Sequence, residues 1–417
     1  MNYCRLLKFG LSVALLLCAH ISSNAQSSSP RVFLMDAKTL IAQKRQLSDP
    51  KIVNADLKQA VAKIEREAQK ALKAEFRSVD SKAAFPPSGD KHDYMSQAPY
   101  FWRDPGSKDG LPYVRRDGER NPEIDKIPDH DLLAKLINGV ENLSLAYFFT
   151  GKEEYAARGN ELLRMWFLDA KTRMNPNLEY AQSVPGQSAG RSFGIIETRG
   201  LPRVVDSIGL LRSSKSWNEA DQKGLETWFG KYLHWLTTSK NGREESLAKN
   251  NHGTWYDVQV ASFALFTGKI EMAKSTLRSA RQSRIAKQIE PDGSQPLEIA
   301  RTRSLSYSTM NLEAMILLAK LGDAAEVDLW NFNTPDGRSI RKAIDFLYPY
   351  ASGRKDWTHK QIIKFEPERL YAVLRLAGGK YRDVEFKKMM ESLPKPENYD
   401  PRARFANLSF SIRLSKR

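Results

Sequence analysis

The sequence predicts an all-α protein, a single α/α toroid of helix hairpins around a deep cleft. Three observations predict it. Apolar residues recur at three- and four-residue steps over much of the chain. One helix-ending signature recurs, and each copy is followed by a new helical pattern. Strand signals are sparse, and the tail at 405–412 alternates only imperfectly.

The 417 residues are 41% hydrophobic and 27% charged, an ordinary globular composition long enough for a large core. The first 25 residues read as an export signal. Arg5 and Lys8 form its basic region, an apolar core runs over 11–19, and Ser23-Asn24-Ala25 offers small residues for cleavage after Ala25. This predicts a periplasmic or secreted protein. The apolar core is too short for a membrane span, so no membrane anchor is expected. Both cysteines, Cys4 and Cys18, leave with the signal, so the mature chain has no thiol chemistry and no cysteine metal site. The net charge of +16 suggests a polyanionic partner. No basic tail or nucleic-acid motif accompanies it, so an acidic polysaccharide fits better than DNA or RNA.

Residues 35–76 follow the helical pattern through Leu40, Ile41, Leu47, Leu57, Ala60, Val61, Ile64, Ala68, Ala71 and Leu72. Residues 85–128 break it with repeated proline and glycine, and no helix fits. Tyr94, Tyr100, Phe101, Trp102 and Tyr113 alternate there with Arg103, Arg115, Arg116 and Arg120. Aromatic faces stack on sugar rings and guanidinium groups pair with carboxylates, so this stretch is a candidate wall or lid. The plain alternative is a rigid loop whose rings plug the fold.

From 131 onward helix follows helix. Phe148-Phe149-Thr150-Gly151-Lys152 and Leu265-Phe266-Thr267-Gly268-Lys269 share one ending; Gly322 and Gly378 close weaker echoes. A left-handed glycine cap is expected at each. Between the helices lie three polar stretches. Residues 180–199 offer Gln187, Arg191, Glu197 and Arg199. Lys249-Asn250-Asn251-His252-Gly253-Thr254-Trp255-Tyr256-Asp257 stands ahead of an apolar run at 258–266; Asn250 or Asn251 can cap it, and Gly253 admits a close ligand. Residues 288–307 turn at Pro291-Asp292-Gly293 and then bring Arg301, Arg303 and Tyr307 within reach of one another.

These groups suit one reaction on a polyuronic acid. Removing the weakly acidic C5 proton needs the neighbouring carboxylate neutralised, a base at the proton and an acid at the departing C4 oxygen. Asn and Arg suit the first task, His or a tyrosinate the second, Tyr the third. Asn251, His252, Arg301 and Tyr307 supply that set without a metal or other cofactor.

Asn250-Asn251-His252-Gly253-Thr254-Trp255-Tyr256, then Leu297-Glu298-Ile299-Ala300-Arg301 and Tyr307, resemble the alginate-lyase superfamily of polysaccharide lyases. So do Pro99-Tyr100-Phe101-Trp102 with Asp117-Gly118 and Asn121-Pro122-Glu123, and Gly190-Arg191 with Gly194-Ile195-Ile196-Glu197. The resemblance covers about 94–321; the six-residue step from Arg301 to Tyr307 is more similar to family 38 than to the related family 5. It implies one catalytic toroid over 26–417 and a metal-independent β-elimination on alginate, polymannuronate or glucuronan. Asn251 and Arg301 would neutralise the carboxylate, with His252 as base and Tyr307 as acid, or Tyr307 as both. Tyr100, Trp102, Arg115, Arg116, Gln187, Arg191, Glu197, Arg199, Asn250, Trp255, Tyr256 and Arg303 would hold substrate. A monomer or weak oligomer is expected. Two alternatives stay open: a toroid glycoside hydrolase using two of Asp257, Asp292 and Glu298, and a polyuronate-binding protein without turnover.

Overall fold

The computed structural model describes residues 29–49, 51 and 54–395. The expected export signal at 1–25 and the alternating tail at 405–412 lie outside the described residues. Helices Ala37–Ser48 (α1) and Ala55–Lys73 (α2) come first. Their starts are set locally: the Asp36 and Asn54 side chains accept from the amides of Thr39 and Leu57. The irregular stretch follows, with strands Met95–Gln97 (β1), Phe101–Trp102 (β2) and Val114–Arg115 (β3). Then come Asp129–Thr150 (α3), Glu153–Leu163 (α4), strand Tyr180–Ser183 (β4), Leu201–Leu211 (α5), Glu219–Thr238 (α6), Lys240–Ser246 (α7), Asn251–Phe266 (α8) and Ile270–Ala280 (α9). Ala286–Gln288 (α10), Pro296–Ile299 (α11), Ser304–Ala325 (α12), Ile340–Ala351 (α13), Glu368–Ala377 (α14) and Val384–Ser392 (α15) complete the described chain.

The helices close into the expected α/α toroid. Helices α3, α5, α8, α12 and α14 pack each on the next as an inner row. On them lie α2 and α4 against α3, α6 against α8, α9 against α8 and α12, and α13 against α12. The sequence explains the layering. Inner helices α3, α8 and α12 are apolar around nearly their whole circumference, whereas α2, α9 and α13 carry one apolar stripe. In the core between α6 and α8, Phe263 lies 5.1 Å from Phe229 and 5.7 Å from Tyr232, ring centre to ring centre. Truncating such a buried ring costs about 3–5 kcal/mol.

Two of the four expected glycine caps form. Gly151 (φ 71°) ends α3 and Gly268 (φ 76°) follows α8, both left-handed. The other two expectations fail. Gly322 lies inside α12, where a Cβ would sit 2.3 Å from the Val327 carbonyl, and the left-handed cap is Glu326 (φ 59°). Gly378 caps α14 in the ordinary helical region.

The stretch at 85–128 is ordered by short pairings. Strand β1 runs parallel to β4, and β2 antiparallel to β3 with Phe101 opposite Arg115. Ala98, Phe101, Tyr113 and Val184 form a small apolar cluster beneath it. The buried Lys82 and Asp129 pair at 3.0 Å, and Asp129 also accepts from the Met95 amide, fixing β1 to the start of α3.

Candidate active site

A cleft of about 580 Å³ opens where the first turn of α8 meets the start of α12, the 85–128 stretch and the 180–199 loop. Asn250 is the N-cap of α8, its side chain accepting from the His252 amide at 3.3 Å. The helix therefore runs through the polar motif, which was expected to lie ahead of it. Every residue of α8 is buried except His252, which is half-buried and lines the cleft.

Two buried carboxylates hold this turn. Glu245, on α7, lies 2.6 Å from His252 Nδ1. A carboxylate accepts, so the neutral ring carries its proton on Nδ1 and leaves the Nε2 lone pair available. The edge of Phe193 packs against the same ring, with centroids 4.6 Å apart. Glu298, on α11, accepts from the Asn251 amide at 2.6 Å and from Asn251 Nδ2 at 2.8 Å. Burial raises the Glu298 pKa, and the two bonds from Asn251 work the other way. The carboxylate lies at the positive end of α8. Asn251 Oδ1 is buried with no partner among the described residues.

Arg301 and Tyr307 converge from the other side. Arg301 lies in the turn before α12, and Tyr307 in the first turn of that helix. The guanidinium carbon is 3.9 Å from the Tyr307 ring centre, a close cation–π contact. Arg301 donates to Asp117 through Nε at 3.1 Å and Nη2 at 2.8 Å. Burial alone would raise the Asp117 carboxyl, but Arg301 and the Thr302 amide and hydroxyl hold it well below its ordinary value. Tyr307 donates to the Tyr100 hydroxyl at 2.8 Å. Burial, with Tyr100 beside it, pushes the Tyr307 phenol well above the usual tyrosine range.

The remaining wall is basic and aromatic. Tyr100, Phe101, Arg115, Arg191, Glu197 and Arg199 line it. Arg191 stands over Phe101 and Phe193, 4.8 and 4.9 Å from their ring centres, and donates to Gln182 Oε1 at 2.8 Å. Burial, then Arg115 nearby, draws the Arg191 pKa down to about 10. Glu197 accepts from Tyr94 at 2.6 Å and Ser96 at 2.7 Å, so it is held as part of the floor.

Asn250, Asn251, His252, Arg301, Tyr307, Tyr100, Arg115, Arg191, Glu197 and Arg199 are thus brought together. Six other expected substrate contacts lie outside this cleft. Trp102 is turned away by strand alternation, with Nε1 on the Glu119 carbonyl at 3.0 Å and Arg116 stacked on it at 5.3 Å. Gln187 donates to the Tyr113 carbonyl at 2.6 Å and ties two loops. Tyr256 is a core residue bonded to the Leu236 carbonyl at 3.0 Å. Trp255 is buried on another face of α8 and lines an adjoining chamber. Arg303 donates to the Gly118 carbonyl. Gly253 admits no ligand: a Cβ there would meet the Ala248 carbonyl at 2.1 Å and Arg284 at 2.4 Å. Sequence reasoning does not reach Glu245 or Asp117 as site residues, though Asp117 lies within a quoted motif, and it offers Glu298 only as a hydrolase acid and not as the partner of Asn251.

The three acids the sequence offers to a hydrolase are otherwise engaged. Asp257 pairs with Arg284 at 2.7 Å, Glu298 holds Asn251, and Asp292 caps an exposed turn. None of the three lines the cleft. Among the described residues no group of three or more His, Cys, Asp or Glu is placed to hold a metal ion. Among them also, no helix is long and apolar enough to cross a membrane.

The alginate lyase family model matches residues 78–357. The chain is similar to the crystal structure of an alginate lyase from Bacteroides ovatus, at 37% identity and a TM-score of 0.85, covering 90% of this chain and 99% of that one. Alginate lyase A1-III from Sphingomonas species A1 shares the fold at 16% identity and a TM-score of 0.57, covering 89% and 93%. A variant of A1-III complexed with a tetrasaccharide gives 16% identity and 0.60, covering 91% and 95%. No curated protein matches the chain.

Proposed function

This chain belongs to the alginate lyase family and is a polysaccharide lyase, and we propose that it cleaves a polyuronate, either polymannuronate within alginate or glucuronan, by β-elimination in this cleft. The observation that carries the reading is the His252–Glu245 contact at 2.6 Å, which leaves the imidazole Nε2 to serve a cleft also lined by Asn251, Arg301 and Tyr307.

The uronate carboxylate binds to Asn251 Nδ2, which has a second hydrogen beyond the one given to Glu298, and to Arg301. Its charge, and the charge that develops as C5 loses its proton, is thereby stabilised. His252 Nε2 takes the C5 proton. The C5–H electrons form the C4–C5 double bond, the C4–O bond breaks, and Tyr307 gives its proton to the departing oxygen. The raised Tyr307 pKa suits it to donation, because the phenol stays protonated through the neutral range. Tyr100 can then donate to the Tyr307 oxygen. Solvent returns the proton from His252 to Tyr307 between turnovers. Glu245 is a positioning residue that fixes the imidazole orientation.

No step calls on a metal or other cofactor, and the protein acts as a monomer or weak oligomer. Its basic character suits a polyanion, and its leader suits export to the periplasm or beyond. The six-residue step from Arg301 to Tyr307 supports placement in family 38. The test is the mass of the products formed from polymannuronate and glucuronan. Elimination yields fragments one of whose ends is lighter by a water than a hydrolytic end; fragments that all carry the added water would refute the reading.

A further inference from the structure

A helix start leaves backbone amides without intrahelical acceptors, and an uncapped first turn frays. At α1, α2, α6 and α8 the side chain just ahead of the helix supplies an acceptor. Helix α12, which carries Tyr307 in its first turn, has no such cap. The side chain of its N-cap, Arg303, accepts nothing and donates instead to the Gly118 carbonyl.

The acceptors come from the loop between α13 and α14. The Lys360 carbonyl takes the Ser304 amide at 3.1 Å. Gln361 Oε1 takes the Leu305 amide at 3.0 Å, across a separation of 56 residues. The Tyr307 amide then bonds to the Arg303 carbonyl at 2.9 Å, in the regular helical ladder. The other end of the Gln361 amide is also engaged: Nε2 donates to Ser306 Oγ at 2.9 Å and to the Ile363 carbonyl at 2.7 Å. An N–H facing one end and a carbonyl facing the other leave one orientation for the group. Backbone pairing holds it there. Arg303 and Gln361 form an antiparallel bridge, and the Ile362 amide donates to the Thr302 carbonyl at 2.9 Å.

The two halves of the catalytic turn are therefore held by different elements. Arg301 and Thr302 are tied to Asp117, and the helix start at 304–306 is tied to Gln361. The ring of Tyr307 is oriented by Arg301 and Tyr100, but the place from which it projects is set by that helix start. Gln361 itself does not line the cleft.

We propose that Gln361 is a positioning residue for the elimination, capping α12 from a distant loop and so holding the Tyr307 phenol in line with the departing oxygen. The proposal rests on the reading of Tyr307 as the acid of a polyuronate lyase and goes beyond it in assigning Gln361.

The test compares the full-length parent with Gln361→Met, which keeps the length of the side chain but removes its carbonyl oxygen and its N–H donors, and with Gln361→Glu, which restores the acceptor. In Gln361→Met, kcat on the polyuronate that the parent cleaves falls about tenfold to a hundredfold, the effect of a small displacement of a reacting group. KM stays nearly constant, because Arg301 keeps its hold on Asp117. Gln361→Glu recovers most of the loss. Hydrogen exchange followed by mass spectrometry reads the cap separately from turnover. Peptides covering 304–307 exchange faster in Gln361→Met than in the parent, and those covering the first turn of α8 do not change. Parental kcat in Gln361→Met would overturn the proposal. So would a loss that Gln361→Glu does not recover and that comes with faster exchange throughout the protein, the mark of a generally loosened fold. Parental exchange at 304–307 in Gln361→Met would remove the cap. A parent that forms no elimination product would remove the lyase reading and the positioning role with it, while faster exchange confined to 304–307 would keep the cap.

Discussion

The first turn of α8 and the 85–128 stretch both read as polar and aromatic, yet they build the cleft in different ways. In α8 the helix fixes direction: Asn251 and His252 stand at its open end, and each is clasped by one buried carboxylate from another element. In the 85–128 stretch, direction alternates. Phe101 and Arg115, opposite one another across β2 and β3, line the cleft, while Trp102 and Arg116 stack together away from it. The 85–128 stretch is joined to the turn before α12 through one acid, Asp117, whose carboxylate takes two donors from Arg301 and the amide of Thr302. Composition thus marks both regions, but only backbone geometry decides which half of each meets substrate.

Substitutions can sharpen that contrast. The largest effect is expected at the rigid end: His252→Ala should lower kcat about 10²–10⁴-fold, the usual worth of a positioned base, with the thermal midpoint little changed. Next is Glu245→Gln. It keeps the shape but loses the charge that orients the ring, so kcat should fall about tenfold to a hundredfold with KM nearly constant; a change in KM alone would deny Glu245 its positioning role.

Asp117→Asn should act at the junction. It leaves Arg301 without its counter-charge and frees the loop, so KM should rise several-fold and proteolysis within 85–128 should quicken. Its pH dependence has a definite sign. The folded-state pKa is depressed, so the contribution is present above the ordinary carboxylate value of about 3.9 and is lost only as pH falls through the lower folded value. Protease protection of the loop should persist at about pH 4 in the parent. The smallest effect belongs to Trp102→Ala, which should change kcat/KM less than about twofold; a large loss would mean that the outer face of the stretch also meets substrate.

Much of this was legible in the sequence, and the remainder failed for identifiable reasons. Asn251, His252, Arg301 and Tyr307 stood out because rare polar groups were packed close to apolar helical runs, a local signal. Their partners' roles are not legible in the sequence, because Glu245, Glu298 (readable there only as a hydrolase acid) and Asp117 are ordinary acids until folding sets them beside His252, Asn251 and Arg301. Composition carries no strand phase, so it gives Trp102 and Arg116 the same standing as Phe101 and Arg115, although only the latter two line the cleft. Tyr256 reads as a ligand contact only if the polar motif lies ahead of the helix; α8 in fact starts at Asn251, which turns that ring into the core. Gly322 resembled a cap, but the close pass of the Val327 carbonyl accounts for it.

The most direct measurement is the ultraviolet absorbance of the conjugated unsaturated uronate, followed over time with the parent and with Tyr307→Phe on polymannuronate and glucuronan. The account predicts a steady rise with the parent on at least one polymer and almost none with Tyr307→Phe, whose ring still packs beneath Arg301 but has no proton to give. A rise of equal rate in both proteins would contradict the placement of Tyr307 as the acid, and no rise with the parent on either polymer would contradict the elimination itself.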